Sequence, residues 1–106
     1  MVTDEKVLVS DSLTSDVYTL YFESDRFARK HYTVVVTADG MLQVDAVKNM
    51  VVKKTGEKRV YRFSYQTDLV LECLDINTVT ARFEDNILMV SAQSVSLSDD
   101  KVIEIL

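Results

Sequence analysis

The chain has 106 residues, enough for one domain with its own apolar core. Its 17 acidic residues outnumber the 12 basic ones, and the net charge of -5 argues against nucleic acid and membranes as partners, because both favour clustered Lys and Arg. One cysteine gives no disulfide framework. No leader peptide or long apolar run is visible, so we expect a cytoplasmic protein, with the nucleus as a further location.

Apolar and polar residues alternate with a period of two along most of the chain. In chain order the alternation covers 18–22, 32–36, 42–46, 61–65 and 79–83, and 87–90 is a continuous apolar run. Asp39-Gly40 between two alternating stretches is typical of a hairpin turn. The pattern predicts an all-β protein, an antiparallel immunoglobulin-like sandwich of seven or eight strands without α-helix.

Two stretches depart from the short alternating strands. The stretch 25–31 predicts an irregular or one-turn connection with Phe27 buried beneath it. A strand from Arg59 to Leu71 would exceed the five or six residues typical of sandwiches. A long strand leaves an unpaired edge, which the protein must cover or use.

The C-terminal half carries a family resemblance. The segment from Val79 to Val90 resembles the signature of the α-crystallin domain of small heat-shock proteins, in which an Ala and a second apolar residue precede a short turn and an apolar strand. Here Asp85-Asn86 stands at the turn, and Asn tolerates the positive φ that the family's usual Gly adopts. The earlier strands follow the family's order, and Ile103-Glu104-Ile105 is similar to its Ile-x-Ile motif.

The resemblance implies boundaries and a function. It places an α-crystallin-like (HSP20-like) domain at 16–92, after a short N-terminal arm at 1–15 and before a C-terminal tail at 93–106. It implies an ATP-independent holdase that binds exposed apolar segments of unfolded or partner proteins. The alternative is a non-chaperone adaptor domain, like the co-chaperone CS domains, that binds one folded partner.

The resemblance also implies three groups of site residues. A peptide groove would involve Val34, Val36, Val79, Ala81 and Phe83, although each fits a plain core position equally well. A homodimer or small oligomer would form through the long strand, with Arg59, Tyr61, Arg62, Phe63, Tyr65 and Thr67 at the interface. Ile103 and Ile105 would fill neighbouring pockets on a sheet edge, unless 102–106 is simply a last strand. The family's Arg is absent around 66–71, and this loss together with the like charges of Arg59 and Arg62 predicts a weak dimer.

Residues for catalysis are scarce. His31 is the one histidine and Cys73 the one cysteine, so nucleophilic triads and zinc sites lack partners. The two glycines, Gly40 and Gly56, are isolated, which leaves no phosphate-binding loop. We expect no enzyme activity, no cofactor and no metal.

Overall fold

The fold was obtained as a computed structural model, which describes residues 2–95. Across these residues the chain forms strands and two 3₁₀ helices, and no α-helix. The strands are β1 (Val2–Asp4), β2 (Leu8–Thr14), β3 (Val17–Glu23), β4 (Tyr32–Val36), β5 (Met41–Val51), β6 (Lys58–Asp68), β7 (Thr80–Glu84) and β8 (Ile87–Gln93). The 3₁₀ helices are Arg29–His31 and Ile76–Thr78.

The strands form two four-stranded sheets. One has the order β1-β6-β5-β4 and the other β2-β3-β8-β7. The two sheets pack face to face, as the predicted sandwich requires. Strands β1 and β2 come from the stretch expected to be an arm, and they pair with β6 and β3.

The sandwich is antiparallel as predicted, apart from one strand pair. Among residues 2–95, β1 runs parallel to β6, while the other strand pairs are antiparallel. The connection at 5–7 carries the chain from one sheet to the other instead of closing a hairpin. Such a crossing leaves β1 free to run in the direction of β6.

The core lies between the sheets, where alternate residues of the central strands meet. The Phe22 ring makes edge contacts with Phe63 and Tyr65, with centroids 6.0 and 5.2 Å apart. Phe27 is 1% exposed beneath the loop that precedes β4, which confirms its predicted position. The buried residues of the main core are Leu20, Phe22, Leu42, Val44, Leu69, Leu74, Leu88, Val90 and Ala92.

Turns form where the sequence predicts them. Gly40 has φ +89°, and a Cβ there would lie 2.5 Å from Cγ2 of Val70, so only glycine fits. Asp85 and Asn86 have φ values of 51° and 65°, typical of the two central residues of a type I′ hairpin. This turn sets the register of β7 against β8.

The long strand is shorter than the sequence predicts. β6 ends at Asp68, because the Oδ1 atom of that residue accepts hydrogen bonds from the backbone N–H groups of Val70 and Leu71 at 3.0 and 3.1 Å. The Asp68 carbonyl also accepts from the N–H of Glu72 at 3.2 Å. These bonds bend the chain into a turn that buries Leu69 and exposes Leu71.

Candidate functional site

A groove opens between β4 and β7, the edge strands on the same side of the two sheets. Its volume is about 310 Å³. The sandwich brings these strands together although some 45 residues separate them in sequence. The lining residues are Arg29, Tyr32, Val34, Ala81, Arg82, Phe83 and Leu88, which give an apolar floor with two arginines.

Three of the five predicted groove residues line this groove. Val34 and Phe83 are partly buried and also pack against the main core, while Ala81 is exposed. Val36 and Val79 pack against the core and are not among the lining residues. The structure therefore brings Val34, Ala81 and Phe83 together at the surface.

Tyr32 is a groove residue that the sequence analysis did not identify. Its ring lies 5.7 Å from that of Phe27 and 6.1 Å from that of Phe83. Its hydroxyl is buried and has no hydrogen-bond partner within residues 2–95. Burial raises the pKa of Tyr32, so the hydroxyl stays protonated and can donate a hydrogen bond. Its place at the start of an alternating run gave no signal beyond that of a strand residue.

The 3₁₀ helix before β4 fixes one end of the groove. The N–H of Ala28 donates to Nδ1 of His31 at 2.8 Å. Burial lowers the pKa of His31, and the positive charges of Lys48 and Lys30 lower it further, so the ring accepts this bond in its neutral form. His31 thus supports the turn that carries Arg29, and it has no catalytic partner in the site.

The predicted dimer strand has an inner and an outer face. Tyr61 is buried, with the Arg26 guanidinium carbon 4.0 Å from its ring centroid. Phe63 and Tyr65 pack inward against the core, and Thr67 follows them on the same face. Arg62 is exposed, on the opposite face. The Arg59 guanidinium lies 3.4 Å from Glu57 on the neighbouring turn.

The outer edge of β6 is covered over only part of its length. The Glu5 N–H donates to the Arg62 carbonyl at 2.7 Å, and β1 pairs with Val60–Arg62. Backbone groups alternate in direction along a strand, and the β5–β6 pairing has no bulge. Ser64 and Gln66 therefore direct their N–H and C=O groups to the outer side, where no strand of residues 2–95 lies.

A larger cavity of about 730 Å³ lies beside the connection from β1 to β2. Five of its nine lining residues are charged, and an ion pair joins Glu5 to Arg26 at 3.7 Å. A cavity lined mainly by charged residues is a poor match for apolar segments, which bind better to apolar surfaces from which water is excluded.

The remaining expectations concern the C-terminal motif, metal ions, membrane spans and the single cysteine. The motif residues Ile103 and Ile105 lie outside residues 2–95. Within the described range, no cluster of three His, Cys, Asp or Glu side chains suits a metal ion. The same range has no helix long and apolar enough to cross a membrane. Cys73 is exposed, in a turn where its φ is 57°.

Solved structures with a similar fold are small heat-shock proteins. A small heat-shock protein from Xylella fastidiosa aligns with a TM-score of 0.73 at 14% identity, over 95% of this chain and 96% of that one. The fold is that of the α-crystallin domain. Stress-induced protein 1 from Caenorhabditis elegans has a TM-score of 0.66 at 13% identity, over 92% of this chain and 98% of its own.

A third small heat-shock protein has the same TM-score as the Caenorhabditis elegans protein. The small heat-shock protein AgsA from Salmonella typhimurium has a TM-score of 0.66 at 16% identity, over 96% of this chain and 99% of that one. No family model matches the sequence, and neither does any curated protein. At 13% to 16% identity the likeness concerns the fold alone.

Proposed function

We propose that this chain is an ATP-independent chaperone module that holds exposed apolar segments of unfolded or partner proteins in the groove between β4 and β7. The observation that supports this most is that an apolar floor, formed by Val34, Ala81 and Phe83, lies beside an edge of β7 with which no strand of residues 2–95 pairs. An extended segment can hydrogen-bond to that edge while its alternate side chains enter the groove. Binding of this kind needs no catalytic group and no cofactor.

The open part of the β6 edge supports a proposed homodimer. Two copies of β6 can pair antiparallel about a two-fold axis at Gln66, which sets Ser64 opposite Asp68 of the second copy. Strand β1 covers Val60–Arg62, so this pairing uses only 64–68. An interface of about five residues in each strand is small, and we expect a weak dimer.

Assembly beyond the dimer would use the C-terminal motif. The Xylella fastidiosa protein is described as having a distinct high-order structure. Ile103 and Ile105 would project to one side of an extended segment and reach a groove as a removable plug. We place the protein in the cytoplasm, where the client segments it would hold are exposed during stress.

A bulky side chain placed in the groove tests whether clients bind there. Ala81→Trp should abolish suppression of aggregation for two unrelated client proteins, because the indole occupies the space that a client side chain needs. Ala81 is exposed, so the larger ring does not enter the main core. The measurement is light scattering of heated clients with the chain in several-fold molar excess and no ATP.

The matched control is Val35→Trp, which adds an indole to the outer face of β4 at a side chain that is 42% exposed. This variant should suppress aggregation like the wild type. If the wild type suppresses neither client, the holdase proposal is wrong and the adaptor alternative remains. If both variants keep full suppression, clients bind elsewhere on the protein.

A further inference from the structure

Strand β1 adds little side-chain packing to the sandwich. All three of its residues are exposed, and none of residues 2–5 belongs to either buried core cluster. The strand is held by its parallel ladder to Val60–Arg62 and by the bond from the Glu5 N–H to the Arg62 carbonyl. Glu5 adds a partly exposed ion pair with Arg26. Detachment of β1 therefore gives up little buried apolar surface.

The same strand covers part of the edge that the proposed dimer uses. Val60 and Arg62 direct their N–H and C=O groups to β1. Ser64 and Gln66 direct theirs to the same side, where β1 has already ended. A cavity of about 490 Å³ lies at this step, and its lining residues are Asp4, Glu5, Arg62, Phe63 and Ser64. The outer edge of β6 is thus one continuous surface that β1 covers at one end.

The covered end limits where a two-fold axis can lie. In a symmetric antiparallel pair the axis passes through a residue whose backbone groups point to the partner strand. With the axis at Gln66, pairing covers 64–68 and avoids β1. With the axis at Ser64, pairing would cover 60–68 and would set Arg62 opposite Gln66 of the second copy. This longer pairing places no like charges opposite each other, but it needs the edge that β1 occupies.

We propose that the outer edge of β6 from Val60 to Asp68 is an interface for a second copy of this chain, and that β1 competes with that copy for it. While β1 is bound, only the short pairing about Gln66 forms. When β1 detaches, the axis moves to Ser64 and the dimer tightens. The occupant is a second copy because the edge under β1 continues the proposed interface. This inference rests on the proposed homodimer and adds the element that limits it.

Proline pairs in β1 test the competition. By the alternation of the ladder, the N–H groups of Thr3 and Glu5 face β6, whereas those of Val2 and Asp4 point away. Thr3→Pro with Glu5→Pro should detach β1 and tighten the dimer about tenfold in sedimentation. Val2→Pro with Asp4→Pro is the matched control, because it also adds two prolines and removes one carboxylate. It should leave the dimer unchanged.

The sandwich should stay folded in both variants, because β1 holds no core residue. Circular dichroism checks this. Thr3→Gly with Glu5→Gly is a milder second variant, since it weakens the strand without the proline ring. It should shift the dimer in the same direction by a smaller factor.

A cysteine at the axis reports which pairing forms. All variants carry Cys73→Ser, and oxidised glutathione is the oxidant. Opposite Cα atoms at the axis lie about 5.5 Å apart, within the range of a disulfide, whereas a residue two positions from the axis lies more than about 13 Å from its own copy. Gln66→Cys should therefore cross-link while β1 is bound. Ser64→Cys should cross-link only after Thr3→Pro and Glu5→Pro are added.

The outcomes separate the competition from the dimer itself. If the Thr3→Pro/Glu5→Pro variant dimerises no more tightly than the wild type and still cross-links through Gln66→Cys, the competition is wrong and the dimer stands. Equal tightening by Val2→Pro/Asp4→Pro would also overturn the competition. If neither the wild type nor any variant associates at about 100 μM, the proposed dimer fails, and the inference fails with it.

Discussion

Replacement of Gln66 by Pro is expected to abolish self-association while leaving the sandwich folded. The Gln66 N–H points to the open side of β6, away from β5, so its loss removes no hydrogen bond from the β5–β6 ladder. Pro is tolerated at such edge positions and blocks the addition of a strand. So small an interface is expected to give a weak dimer, so sedimentation is measured at protein concentrations up to about 100 μM. It should give a monomer for this variant and a dimer for the wild type.

The control for this experiment is Gln66→Ala, which changes the side chain and keeps the N–H group. It should dimerise like the wild type, and reducing agent prevents cross-linking through the exposed Cys73. A wild type that remains monomeric throughout the concentration series would contradict the proposed dimer. If the Gln66→Pro variant dimerises as strongly as the wild type, the interface does not lie at this edge.

Replacement of Phe22 by Ala is expected to lower the free energy of unfolding by about 3 to 5 kcal/mol, because it removes a fully buried ring from between the two sheets. Phe22 is 0% exposed and contacts Phe63 and Tyr65 across the sandwich. A loss of this size is a large fraction of the free energy of unfolding of a domain, which is typically about 5 to 15 kcal/mol. Urea denaturation followed by circular dichroism measures it.

The neighbouring residue provides the control. Tyr21 lies on the outer face of the same strand, and Tyr21→Ala should cost about 1 kcal/mol or less. Equal losses for the two variants would contradict the packing of β3 against β6, and with it the sheet arrangement that places β4 opposite β7.

Most strands could be predicted from the sequence because local pattern determines them, whereas the groove could be predicted only through the family resemblance. Alternation located β3 to β7, a continuous apolar run located β8, and Asp39-Gly40 located a turn that only glycine can form. The family resemblance supplied Val34, Ala81 and Phe83 as groove residues. Val36 and Val79 follow the same alternation as Val34, Ala81 and Phe83, yet they pack against the core and do not line the groove. Periodicity alone does not distinguish a core position from a groove position.

Other features depend on contacts between distant segments and have no local signature. The parallel pairing of β1 with β6 follows from a crossing between the sheets, and the polar sequence of β2 shows little alternation. The end of β6 at Asp68 depends on side-chain hydrogen bonds to the following turn. Tyr32 became a groove residue only once Phe83 was placed beside it, 6.1 Å from its ring.

The most direct test of the account is to map where a client touches the protein. Backbone amide NMR signals of the labelled full chain are followed while a permanently unfolded, reduced and alkylated client is added. If clients bind in the groove, the largest shifts and broadening occur at Val34, Ala81 and Phe83, with little change at Val47, which is exposed on the outer face of β5. Unchanged groove signals while the client binds, or equal changes at Val47, would contradict binding in the groove.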